Sequence, residues 1–320
     1  MNIKIAVFLS AIFLATSAQG QDFPSRPVKL VVGFSAGGGS DFVARGIANA
    51  MSQKLNQTVI VENKAGAGGM IATRAVAKEA PDGYTLLLGS AAAFVINPLL
   101  IEDIGYDPIK SFAPVGSVAR FNYALLASPK LPYKSLAEVI QYASNNPGKL
   151  NIGSAGVGSN THLVAVAFTK QASIKLTHVP YKGTTGALTD LMAGNIDLLF
   201  DSMPTVTNHI KSGEVKAFAT TGNVRETETP NLPTLKEFGQ NGFEASNWFA
   251  IFAPAGTNPE IVNILNKAIN ESLKDPALLE SFKASGNLPL PGSPQDLANL
   301  IARESATYRT LIQESDIKID

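Results

Sequence analysis

The residues best placed to do chemistry in this sequence are glycines and hydroxyls gathered in short loops. Phe34-Ser35-Ala36-Gly37-Gly38-Gly39-Ser40-Asp41 is the first, and Ala65-Gly66-Ala67-Gly68-Gly69 the second. Gly153-Ser154-Ala155-Gly156-Val157-Gly158-Ser159-Asn160-Thr161-His162, Tyr181-Lys182-Gly183-Thr184-Thr185 and Asp201-Ser202-Met203-Pro204-Thr205 follow. Each separates a β-rich run from a helical pattern. Glycine lets a backbone approach a ligand closely, and the first turn of a helix leaves N–H groups unpaired. Those groups and the helix dipole favour an anion. Ser40, Ser159 and Thr184 stand where a hydroxyl either caps its helix or reaches a ligand. A Cβ at Gly38 or Gly39 would block close approach, and would bar a positive φ if the loop requires one there.

Elimination narrows the chemistry. Gly37-x-Gly39, Gly66-x-Gly68 and Gly156-x-Gly158 lack the third glycine of a dinucleotide fingerprint, the positions being Phe42, Ile71 and Thr161. No glycine loop ends in Gly-Lys-Ser/Thr, so a P-loop is absent. A hydrolase nucleophile is not expected, and His162, three residues after Ser159, suits local hydrogen bonding better than a triad. The absence of His-Glu-x-x-His and of any cysteine removes zinc and thiolate sites, so no metal or cofactor is implied. All seven arginines fall outside the glycine loops, and Arg45 follows Asp41 by four residues, as an ion pair on one helix would. Of the basic residues only Lys182 lies within a loop. An anion here would be held by backbone N–H groups and hydroxyls, which suits a compact carboxylate.

The elements around these loops must put them on one edge. Val28 to Phe34, Thr58 to Val61 and Tyr84 to Gly89 read as strands, separated by helical patterns over Asp41 to Lys54 and Met70 to Lys78. Near-continuous apolar strands alternating with helices predict a parallel sheet covered on both faces. A second series has strands over Phe121 to Ala127, Leu150 to Gly153, Leu176 to Val179, Ile196 to Phe200 and Val215 to Thr220. Its helices fall at Ser135 to Ser144, Asn160 to Gln171 and Ala187 to Met192. A last strand starts at Phe249 to Phe252, and three helical patterns follow. The fold class is α/β in two lobes, each a mixed, mostly parallel sheet flanked by helices. Crossings are expected near Arg120 to Tyr123 and Glu244 to Trp248. Every glycine loop then lies at the carboxyl end of a strand, the edge where open α/β sheets bind ligands.

Composition agrees with an exported, uncharged binder. The 320 residues carry 26 Lys+Arg against 26 Asp+Glu, with 45% apolar residues and no basic run. That excludes wholesale disorder and a nucleic-acid surface. Lys4, the apolar run Ile5 to Leu14 and Ala18-Gln19-Gly20 have the layout of a secretory signal peptide, too short to span a bilayer. Cleavage is expected near Gly20/Gln21, leaving an exported protein.

Several stretches together resemble a known family. They are Phe23-Pro24-Ser25-Arg26-Pro27-Val28, Val61-Glu62-Asn63-Lys64-Ala65-Gly66, Ala80-Pro81-Asp82-Gly83-Tyr84, Tyr181-Lys182-Gly183, Ala193-Gly194-Asn195-Ile196-Asp197 and Ala253-Pro254-Ala255-Gly256-Thr257. This set resembles the Bug-type (TctC-like) solute-binding proteins of tripartite tricarboxylate transporters. The resemblance implies a monomeric, non-enzymatic periplasmic-binding-protein-like receptor. Its small carboxylate would be a di- or tricarboxylate, an acidic amino acid or an aromatic acid, and membrane permease subunits would be its partner. Residues 21–121 and 246–320 would form lobe I and 122–245 lobe II. The expected ligand-binding residues are Phe34, Ser35, Ala36, Gly37, Gly38, Gly39, Ser40 and Asp41 on the first loop, and Ser90 and Ala91 after the third strand. In lobe II they are Ser154, Ala155, Gly156, Ser159, Asn160, Thr161, His162, Lys182, Gly183 and Asp201. The competing readings are an exported enzyme using Lys182 or Asp201 for acid–base work, and a ligand-sensing subunit.

Overall fold

The computed structural model of the chain describes residues 23–240 and 245–315. The expected leader lies outside the described residues, as does Glu244 at one expected crossing. β1 (Val28–Val32) is flanked by β2 (Val59–Asn63) and β3 (Thr85–Ser90), both parallel to it. β1 and β3 are buried along nearly their whole length, as strands covered on both faces are. α1 (Gly39–Leu55) and α2 (Met70–Val76) make the crossovers. After β3 a π-helical turn over Ala92–Ile96 runs into α3 (Asn97–Leu100), an element that no clear periodicity announces.

β4 (Phe112–Ala127) joins the two halves. It starts well before the strand expected over Phe121 to Ala127. Pro114 and Gly116 discourage a strand reading there, and the register against its neighbour shifts beside both, so that bulges absorb them. β9 (Ser246–Pro254) lies antiparallel between β3 and β4. β4 pairs with β9 over Phe112–Asn122 and with β7 (Leu198–Ser202) over Tyr123–Ala127. Beyond β7 come β5 (Asn151–Ser154) and β6 (Thr177–Pro180), mutually parallel. β8 (Lys216–Thr220) pairs with the second half of β4 opposite β7, and β10 (Leu288–Pro289) with the first half opposite β9. Thr221 binds the crossing together: its Oγ1 accepts the Tyr123 N–H at 2.9 Å and donates to the Ala245 carbonyl.

The second sheet carries α4 (Leu136–Asn145), α5 (Asn160–Gln171), α6 (Thr184–Ala193) and α7 (Met203–Ser212). α5 has the expected span because Ser159 is an N-cap whose Oγ accepts the His162 N–H. Of the last helices, α8 (Pro259–Ser272) packs on α1 and β4, α9 (Pro276–Ala284) on α1, and α10 (Pro294–Ser315) on β4 and α5. Phe94 and Phe252 stack 3.7 Å apart in the core under α10, and Leu163 of α5 is buried in the same cluster. Among the described residues no helix is long and apolar enough to cross a membrane.

Candidate functional site

In the first lobe the site is built on the turn from β1 into α1. Gly38 is the N-cap of α1, with no side chain bonded to the first-turn N–H groups. The positive φ of this loop falls on Gly37, at 84°, and not on Gly38 or Gly39. Gly39 instead faces open space, with no protein atom within 4 Å of a Cβ placed there. Asp41 holds the loop from behind. Its Oδ2 accepts the Gly37 N–H and the Arg45 Nε–H, each at 2.9 Å, and its Oδ1 accepts Asn63 Nδ2 at 2.9 Å. The Arg45 guanidinium, then the Gly37 and Asn63 donors, hold the Asp41 carboxyl at a pKa of about 2 against the opposing effect of burial. The Asp41–Arg45 spacing thus makes the ion pair its sequence suggests, and the pair positions the loop.

In the second lobe the turn from β5 into α5 is closed by its own side chains. The Ser159 hydroxyl donates to Gly156 O at 2.7 Å, and Thr161 Oγ1 accepts the Ala155 N–H at 2.9 Å. His162 Nδ1 accepts the Gly158 N–H at 3.1 Å, and His178 Nε2 meets Ser154 Oγ at 2.6 Å. The two imidazoles stack 3.9 Å apart. Burial lowers both their pKa values, that of His162 to about 4 with help from His178, so both rings are neutral near pH 7.

Between the lobes lies a cleft of about 750 Å³. Gly39 and Ser40 of α1, Asn160 and Thr161 of α5, Thr184 of α6, and Pro204 and Thr205 of α7 all line it. Four helix N-termini therefore converge on one space. Gly183 before α6 and Ser202 before α7 offer no side-chain cap, which leaves first-turn N–H groups for a ligand. Phe34, Phe121 and Phe249 add aromatic wall, the last two with ring centroids 5.7 Å apart. No Lys, Arg, His, Asp or Glu lines the cleft among the described residues.

Of the expected residues, Phe34, Gly39, Ser40, Ser90, Ala155, Ser159, Asn160, Thr161 and Gly183 line the cleft. Ser35, Ala36, Gly37 and Gly38 sit exposed on the first loop beside it, and Gly156 is half-buried on the second. Asp41, Ala91, Ser154 and His162 are buried behind the wall, and Lys182 is exposed outside it. Asp201 is also buried behind the wall. Its Oδ1 accepts the Ser202 N–H at 2.7 Å, and burial raises its pKa to about 6 despite the Ser202 and Thr184 donors. Gly33-Phe34-Ser35-Ala36-Gly37 has the Gly-x-Ser-x-Gly spacing of a nucleophile elbow, a correction to the reading that no hydrolase nucleophile is expected. Ser35 is outside the cleft lining, and the histidines bond elsewhere: His162 to Gly158, His178 to Ser154, His209 to Glu214.

The sequence model described as "Tripartite tricarboxylate transporter family receptor" (TctC) matches residues 43–317. The chain belongs to this family. Protein BugT of Bordetella pertussis is 36% identical over 316 residues, covering 98% of this chain and 97% of the relative. The structure of R. palustris Rpa4515 with adipate is similar at a TM-score of 0.83 and 35% identity, covering 93% of this chain and 99% of that one. MatC (Rpa3494) from Rhodopseudomonas palustris with bound malate gives 0.77 and 33%, covering 91% and 100%. The fold is therefore the two-lobed periplasmic-binding-protein type. Sequence reasoning missed several cleft residues of this receptor. Thr184, Ser202 and Thr205 lie in loops it singled out, while Asn97, Phe121, Asn247, Phe249 and Asn287 belong to no motif.

Proposed function

We propose that this chain is a periplasmic solute receptor that captures a small carboxylate between its lobes and delivers it to a membrane permease. The observation that carries the reading is the convergence of four helix N-termini on a cleft lined by neutral groups. Such a site binds an anion through fixed dipoles and unpaired N–H groups. Relatives with adipate and malate bound support the same ligand chemistry. Residues 21–121 with 246–320 form lobe I and 122–245 lobe II in this reading, which the change of partner along β4 supports. The signal pattern before Gln21 supports export. Catalysis finds little support, because Lys182 is exposed outside the cleft and Asp201 is buried behind it.

Calorimetric titration of the mature chain with a panel of C4 to C6 diacids is the test. One or more should bind, and the matching diamide should not. Gly39→Val should fold with an unchanged unfolding midpoint but lose binding, since its side chain enters space that only a ligand would use. A diamide that binds as tightly as its acid would sink the anion reading.

A further inference from the structure

The cleft contains an acceptor that an unsubstituted diacid leaves unmatched. Asn287 follows α9, lines the cleft and is 2% exposed. Its Nδ2 donates to Ser285 Oγ at 3.0 Å, and that hydroxyl donates in turn to the Ser281 and Phe282 carbonyls. This chain of donors fixes which way the amide faces: the nitrogen is used, and Oδ1 has no hydrogen-bond partner. The turn cannot swing aside. The Asn287 N–H donates to Phe282 O, and β10 begins at the next residue. Gly286 lies against the start of α7, where a Cβ would stand 3.2 Å from Pro204 N.

Buried acceptors are paired as a rule, and each exception calls for a donor from elsewhere. The first-turn N–H groups of α7 lie at the same place. One short stretch of wall therefore offers donors for a carboxylate and an acceptor for a neighbouring donor.

Resting on the receptor reading above, we propose that Asn287 reads a hydrogen-bond donor beside the ligand's carboxylate. The receptor then prefers an acid carrying a hydroxyl or amino group at that carbon over the unsubstituted diacid. A site built to pair a substrate O–H or N–H rejects the analogue lacking it, because its own polar group is left unpaired.

The test compares succinate with its 2-hydroxy and 2-amino derivatives, and adipate with 2-aminoadipate, by calorimetry on the mature chain. Within the length that binds, a substituted acid should bind roughly ten- to hundredfold tighter, the range of one hydrogen bond involving a charged or buried group. Which substituent gains more distinguishes a hydroxyl from an ammonium ligand. Asn287→Leu should erase most of the difference by weakening the substituted acid alone, and Asn287→Asp, which keeps an acceptor, should retain it. Equal affinity of plain and substituted acids in the unaltered chain overturns the proposal without touching the receptor reading, and does so even if the Leu variant fails to fold. Retained preference in a folded Asn287→Leu chain overturns the assignment to this residue. Failure of every acid to bind overturns the receptor reading, and this proposal with it.

Discussion

Two side chains buried behind the wall of the cleft titrate in opposite senses. His162 has a folded pKa of about 4 against an ordinary 6.5, because burial and His178 disfavour its charge. Between those values the unfolded chain holds more protons, so His162 makes stability rise with pH across that window and fall on acidification. Burial shifts His178 in the same direction. Asp201 has a folded pKa of about 6 against an ordinary 3.8. Between those values the folded chain holds more protons, so Asp201 makes stability fall as pH rises. The unaltered protein displays only the difference of the two. Asp201→Asn should raise the urea midpoint at pH 7 and steepen its loss between pH 6.5 and 4. Parallel midpoint curves for the two proteins would show that Asp201 is not held in its protonated form by the fold. At this scale the sequence was informative where chemistry is local. The Ser159 cap and the Asp41–Arg45 pair depend on residues within four positions of each other. Asn247 and Asn287 carry no such mark, since a lone asparagine gains a role only when distant chain is folded over it.

Among the elements, β4 and its partner at the crossing are where strength and freedom must coexist. Thr221 is fully buried and serves both strands, through the Tyr123 N–H and the Ala245 carbonyl. Thr221→Val keeps the shape and removes both bonds. It should cost about 1 to 3 kcal/mol for each buried group left unpaired, read as a lower urea midpoint. A midpoint that stays put would mean the crossing is held by its strand pairing alone. Most strands and helices were legible because their apolar runs and caps are intact, as in α5, or in β1 with Leu30, Val31 and Val32 in an apolar row. The first half of β4 was not, because its bulges hold residues that argue against a strand. The helical stretch after β3 escaped notice for a related reason: Asn97-Pro98 reads as a break, yet Pro98 stands near the start of α3, where its missing N–H costs nothing. The cleft edge was legible in outline, since glycine loops follow strands. Which loop residues face the ligand depends on how the two lobes are set, which no local pattern encodes.

For the molecule as a whole, stability rests on its core, because no disulfide is available to a chain without cysteine. The two halves of the molecule meet through β4, through Leu163 buried under α10, and through Gly286 on α7. A ligand adds its own tie, and at a hundred times its Kd it should add about 2.7 kcal/mol to the unfolding free energy. The position of β9 has a different consequence, one of timing. It fills the slot between β3 and β4, yet it is made after both. From Tyr123 to Thr220 the second lobe uses strands that follow one another closely in the chain, whereas the first lobe's sheet keeps a gap one strand wide until Ser246–Pro254 arrives. Contacts between distant segments form late, and unpaired edges are sticky while they wait. A chain ending before Ser246 should therefore self-associate, seen as a rising scattering signal after dilution from urea, while the full chain refolds to a single species. Phe121 on β4 and Phe249 on β9 belong to strands that meet late, so the capacity to hold a ligand is acquired late in folding.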